Sequence, residues 1–286
     1  MIPPSTWGAP RATLGLILGV MLCLLGCIDA PAPPEPEGLP PVAAGELLYI
    51  GIESNLSAIG EVIEQAPQAV EGQTQIVPVH GARATLLEQV RSGEIDGALV
   101  YQKPAASDLW TLPIVLDSLT FIGHQELNGV PLTRSQLQQI LTGGVGDWGT
   151  VNGSDVTIQV YVLDTQSGLH ALLNSRVLEN QALGSSVEVI AQPDQMLQSV
   201  AETVGALGYL PTSAYDPQAA VVPLPIDGLL AQSNTVQSQT YPFTVPVYLV
   251  ASSEPTGELR ALAAFFQSAE GVQNLSQQFV PLPPNQ

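Results

Sequence analysis

Residues 46–66 read ELLYIGIESNLSAIGEVIEQA. The first third, Leu47–Ile52, is an apolar run suited to a parallel strand buried on both faces. Beyond the turn at Glu53-Ser54-Asn55, Ala58, Ile59, Val62, Ile63 and Ala66 recur at helical spacing. A strand that passes through a short turn into an amphipathic helix is the repeating unit of an α/β protein.

The alternation continues outward from this unit. Gln75–Val79 reads as a strand, and Leu86, Leu87 and Val90 stripe a second helix. Ile95–Val100 and Ile114–Ile122 read as strands. Thr133-Arg134-Ser135-Gln136 has capping-box spacing and opens a helix with Leu137, Ile140 and Leu141 on its buried face. Val156–Leu163 is a strand, followed by a helix through Leu173 and Val177. Val187–Ile190, Ala206–Leu210 and Ala220–Pro223 are short strands, Phe243–Ala251 is a long one, and Leu259–Phe266 is helical. Strands separated by helices of this size predict an α/β fold with parallel sheets. The glycine-rich stretch Gly143–Gly149 follows a helix rather than a strand and has no P-loop lysine, so it reads as a turn.

Toward the N-terminus the character changes. Arg11 precedes an apolar run, Ala12–Gly26, that is shorter than the roughly twenty residues of a membrane span and matches a signal h-region. The run ends Leu24-Leu25-Gly26-Cys27, which resembles a bacterial lipobox. That resemblance implies a signal peptide over 1–26, cleavage before Cys27 and a diacylglyceryl anchor on the Cys27 thiol. The segment 27–45 then reads as the lipidated cysteine and a proline-rich, acidic tether.

Composition restricts the partners. The 286 residues carry 26 acidic side chains against 7 basic ones, a formal charge of −19. So few cations exclude nucleic acid, whose phosphates need a basic footprint. They also exclude electrostatic docking on anionic lipid, which leaves the N-terminal lipid as the contact with a membrane. An anionic ligand must be held by local groups such as helix N-termini or a single arginine, because the overall field repels it. The two cysteines, Cys23 and Cys27, both lie in or at the end of the first apolar run, so no zinc site or disulfide framework is expected in the body. His80, His124 and His170 are scattered, and Glu94 and Asp96 alternate toward solvent. Gln166-Ser167-Gly168 lacks the flanking pattern of a nucleophile elbow. No set of nucleophile, base and orienting group emerges, so the chain reads as a non-enzyme without cofactor or metal.

Residues 132–153, LTRSQLQQILTGGVGDWGTVNG, resemble a segment of the phosphate-binding protein family, the solute receptors of bacterial phosphate ABC transporters. Four further stretches fall in the family's order: Leu47–Ile63, Ser92–Ala98, Val204–Leu210 and Tyr241–Leu282. The resemblance implies a two-lobed periplasmic-binding-protein fold of type 2, with parallel-rich sheets flanked by helices and two hinge crossings. It implies lobe 1 over 46–120 plus 245–286 and lobe 2 over 121–244, with Asp117-Ser118 and Val245-Pro246 near the hinges. A small anionic solute, phosphate or another oxyanion, would sit between the lobes, and an ABC permease would receive it from a monomeric, lipid-anchored extracytoplasmic receptor.

The same resemblance marks Ser54, Asn55, Arg83, Thr85, Ser167 and Gly168 as ligand-binding residues. It also marks departures from the family. Asn55 stands where the family has threonine, with Glu53 beside it as a charge that repels an oxyanion. Arg83 stands where a serine donates to phosphate. The family's charge-neutralising arginine and a threonine are Leu163 and Leu169 here, and the acidic residue expected near Tyr101 or Gln102 is missing. A buried phosphate that loses its arginine forfeits a charged hydrogen bond worth roughly 1.5–3 kcal/mol. A second reading is therefore a receptor of this fold whose cleft has drifted, acting as a sensor or a partner-binding module.

Overall fold

The strand-turn-helix reading of residues 46–66 holds in the computed structural model, which describes residues 47–66, 74–105, 108–127, 130–152 and 154–283. The signal segment, Cys27 and the tether lie outside the described residues. Strand β1 (Leu47–Glu53) leads into helix α1 (Ala58–Gln65), and β2 (Gln75–Gly81) into α2 (Arg83–Ser92). Gly93, with φ of 74°, ends α2 in the left-handed conformation that glycine tolerates. Then follow β3 (Gly97–Tyr101), β4 (Trp110–His124), α3 (Arg134–Leu141), β5 (Gln159–Leu163) and α4 (Gly168–Leu173). A π-helical turn, Asn174–Leu178, continues α4. The chain closes with β6 (Glu188–Ile190), α5 (Pro193–Glu202), β7 (Ala206–Pro211), β8 (Val221–Pro223), α6 (Ser233–Gln237), β9 (Thr244–Ala251), α7 (Gly257–Gln267) and α8 (Ala269–Leu275).

The strands order as β2-β1-β3-β9-β4-β7-β5-β6, with β8 on β4. The outer portions are parallel: β1 pairs with β2 and β3, and β5 with β6 and β7. The middle differs from the parallel expectation. Strand β9 runs antiparallel to both β3 and β4, and β4 runs antiparallel to β7 and β8. The reason is that β4 serves both ends of the sheet. Its residues 110–118 pair with β9, and Leu119–Gly123 pair with β7. Asp117 and Ser118 lie opposite Val245 and Thr244, where β4 changes partner.

Burial follows the apolar pattern. Leu86, Leu87, Val90, Ile95 and Val250 form a cluster beneath α2. The main core holds Ile50, Ile52, Phe121, Tyr209 and Phe243, with Phe121 and Phe243 edge to face at 5.2 Å. Trp148 is fully buried and its indole N–H donates to the Gly205 carbonyl at 2.9 Å, tying the turn after α3 to the start of β7. No helix among the described residues is long and apolar enough to cross a membrane.

Candidate functional site

Three turns converge at the C-terminal ends of β1, β3 and β5. Where β1 ends, its apolar run closes on a carboxylate, Glu53, that is only 1% exposed. Glu53 Oε1 accepts the Gly168 N–H at 2.6 Å and Oε2 accepts the Tyr101 N–H at 2.9 Å. Tyr101 ends β3, on the β9 side of the sheet, and Gly168 opens the helix after β5, on the β7 side. One carboxylate thus joins backbone donors from both sides of the β4–β9 crossing. Burial pushes the Glu53 carboxyl above the usual carboxylate range, against the pull of the Gly168 and Tyr101 N–H groups and the nearby Arg83 charge.

The predicted residues are placed differently around this corner. Gly168 donates its N–H to Glu53, and Gln102 Nε2 donates to its carbonyl at 3.0 Å. Its missing side chain is required, since a Cβ there would meet Tyr101 Cβ at 2.8 Å and the Tyr101 carbonyl oxygen at 2.9 Å. Ser167 caps α4: its hydroxyl oxygen accepts the His170 N–H at 3.1 Å and donates to the Asp164 carbonyl at 2.8 Å. Arg83 backs the same corner. Its Nε donates to the Tyr101 carbonyl at 3.2 Å and its Nη2 to the Gln102 carbonyl at 3.4 Å. Ser54 is half-buried and its N–H donates to the Gly81 carbonyl at 3.1 Å. Thr85 lies exposed in the first turn of α2. Asn55 is 1% exposed, and neither its Oδ1 nor its Nδ2 has a hydrogen-bond partner.

Tyr101, Gln102, Asp117, Ser118 and Ser213, none of them marked as ligand-binding from the sequence, complete the corner. The Tyr101 hydroxyl donates to Asp117 Oδ2 at 2.9 Å. Asp117, 2% exposed, also accepts the Ser118 N–H at 2.7 Å, the Ser213 hydroxyl at 2.7 Å and the Ser213 N–H at 3.2 Å. Burial raises both the Asp117 carboxyl and, well above its ordinary range, the Tyr101 phenol. Gln102 holds φ at 61°, unusual for a residue with a side chain, while it bridges to Gly168. The signal for Glu53 and Asp117 was present in the sequence, because a carboxylate inside an apolar strand must be hydrogen-bonded where it is buried.

The histidines stand apart. His80 is exposed, while His124 is buried, its Nδ1 accepting the Glu126 N–H at 3.3 Å. His170 Nδ1 lies 3.3 Å from the Tyr209 hydroxyl. Leu163 and Leu169 are fully buried in the core.

A PBP superfamily domain matches residues 43–270. The phosphate-binding protein PstS of Bacillus subtilis (strain 168) is 24% identical over 139 residues, 49% of this chain and 46% of that protein. The chain therefore aligns with under half the length of that curated relative. Among solved structures, a Clostridium perfringens protein with bound phosphate, described as a phosphate ABC transporter substrate-binding protein, superposes with a TM-score of 0.75 at 19% identity, covering 83% of this chain and 100% of that one. An ABC-type phosphate transport receptor from Vibrio cholerae gives 0.68 at 19% identity, covering 82% and 99%. With the domain match spanning most of its length, the chain belongs to the PBP superfamily.

Proposed function

We propose that this chain is the extracytoplasmic solute receptor of an ABC transporter, held to the membrane by a lipid on Cys27 and delivering phosphate or a related oxyanion to a permease. The observation that carries this reading is the pair of N–H groups, Tyr101 and Gly168, that meet on one carboxylate from opposite sides of the β4–β9 crossing. Two amides gripping two oxygens of one charged group form a cradle suited to an oxyanion. The phosphate-binding name of the Bacillus subtilis relative and the phosphate bound in the Clostridium perfringens structure support the solute class. In this reading 46–120 with 245–286 and 121–244 act as two lobes that close on the solute about Asp117-Ser118 and Val245-Pro246. Gly168 is then a direct donor, Ser54, Asn55, Ser167 and Thr85 line the cleft, and Arg83 supplies positive charge from behind Tyr101.

A second reading, a drifted cleft serving as a sensor or partner-binding module, is favoured by one feature. The positions of the family's arginine and threonine are Leu163 and Leu169, both with their side chains in the core. Thermal unfolding of the monomeric mature protein, stripped of solute, separates the two. Phosphate at about one hundred times its dissociation constant stabilises by roughly 2.7 kcal/mol, a shift of several degrees at this size. Arg83→Ala is expected to diminish that shift. Absence of any shift with phosphate, sulfate or arsenate sinks the oxyanion reading and leaves the second.

A further inference from the structure

The cradle already has an occupant. Both Glu53 oxygens are committed, one to each of the two amides, at 2.6 Å and 2.9 Å. Two N–H groups cannot serve a resident carboxylate and an incoming oxyanion together, and like charges in one buried site repel. Two residues along the chain, Asn55 offers the opposite situation. Its amide is buried yet neither end is bonded, a condition that costs stability unless another state of the molecule supplies a partner.

We infer that Glu53 is a resident competitor of the solute: its carboxylate occupies the Tyr101 and Gly168 amides, an oxyanion binds by displacing it, and Asn55 supplies a donor and an acceptor to the ligand that arrives. The inference rests on the reading of this corner as an oxyanion cleft, and it adds the residue that sets the affinity. Glu53 comes from β1, on the β9 side of the sheet, and Gly168 from the turn after β5, on the β7 side, so the carboxylate makes unaided the bridge that a solute makes in a closing receptor. Gln102 Nε2, bonded to the Gly168 carbonyl, braces the same junction. Arg83, anchored on the carbonyls of Tyr101 and Gln102, keeps a positive charge beside the cradle whichever anion fills it.

Calorimetric titration of the full mature protein with inorganic phosphate, and separately with sodium formate, tests this on the wild type, Glu53→Ala and Glu53→Gln. Formate is the carboxylate of Glu53 without its tether. The alanine variant is expected to bind phosphate at least about tenfold more tightly than the wild type, because the two charged hydrogen bonds to Glu53 no longer have to be displaced. Formate is expected to bind and restabilise the alanine variant and to leave the wild type unchanged. Wild-type protein that binds phosphate, with Glu53→Ala binding it no more tightly, overturns the competitor role and leaves the receptor standing. Formate uptake by Glu53→Ala, with no phosphate bound by any form, overturns the competitor role, because a purely structural carboxylate is replaced by formate in the same way. A folded Glu53→Ala protein that takes neither anion overturns the proposal. Should the alanine variant fail to fold, Glu53→Gln decides: it keeps the shape and one acceptor, and phosphate binding no tighter than wild type overturns the inference.

Discussion

Gly168 shows how much one missing side chain governs. Its N–H reaches Glu53 and its carbonyl receives Gln102 because nothing stands between it and Tyr101. Gly168→Ala would place a methyl 2.8 Å from Tyr101 Cβ, so the start of α4 must withdraw from the end of β3. Denaturant unfolding is expected to show a loss of about 1–3 kcal/mol, the cost of forcing an extra carbon into a packed site. Unchanged stability would mean that the two elements slide apart freely. At this scale the sequence was only partly legible. Ser167 and Gly168 were singled out through the resemblance to the phosphate-binding family, whose serine and glycine they keep in a turn of local sequence. Glu53 was recognised only as a nearby repulsive charge. Its carboxylate is bonded to Gly168, 115 residues away in the chain, and no local pattern encodes that contact.

Elements whose signals are local were readable to within a few residues. Helix α3 begins where its capping box predicted: the Thr133 hydroxyl oxygen accepts the Gln136 N–H at 3.2 Å, and Gln136 Oε1 accepts the Thr133 N–H at 2.9 Å. Thr133→Ala removes the first of these bonds. It should lower stability by about 1 kcal/mol in chemical denaturation, with Thr133→Ser retaining most of it; equal losses in both variants would contradict a capping role. Strand β4 was harder to read. It starts at Trp110 rather than Ile114, because Pro113 interrupts the apolar run, and the pairing with β9 shifts register between Pro113 and Val115 to accommodate it. Helix α5 has only Pro193, Met196 and Val200 buried along ten residues, too sparse a stripe to announce a helix. The antiparallel middle of the sheet was invisible for a different reason. Strand direction follows from which segments pair, and β4 and β9 are distant in sequence.

At the scale of the whole molecule, a chain of formal charge −19 buries two carboxylates, Glu53 and Asp117, in one polar corner. Burial lifts both above their ordinary range, so the folded state holds their protons more tightly than the unfolded chain does. Each therefore contributes stability that is complete below the ordinary carboxylate range and lost as pH rises through the raised folded value. Other groups act in the opposite sense. Burial lowers His170, whose stabilising share appears as pH rises toward the ordinary histidine range, and the hydrogen bond from Arg91 lowers Asp108, whose share is lost only in acid. The charges facing Glu53 are Arg83 from α2, which favours its ionised form, and Asp164 from the turn after β5, which opposes it. Comparing the wild type with Glu53→Gln across pH isolates the Glu53 contribution, because His170, Asp108 and Asp117 remain in both. The wild type is expected to lose stability relative to the glutamine variant as pH rises out of the ordinary carboxylate range, and to level off once Glu53 is ionised in both states. A difference constant with pH would mean that Glu53 holds its proton no more tightly folded than unfolded, and that the two amides and Arg83 fully offset its burial.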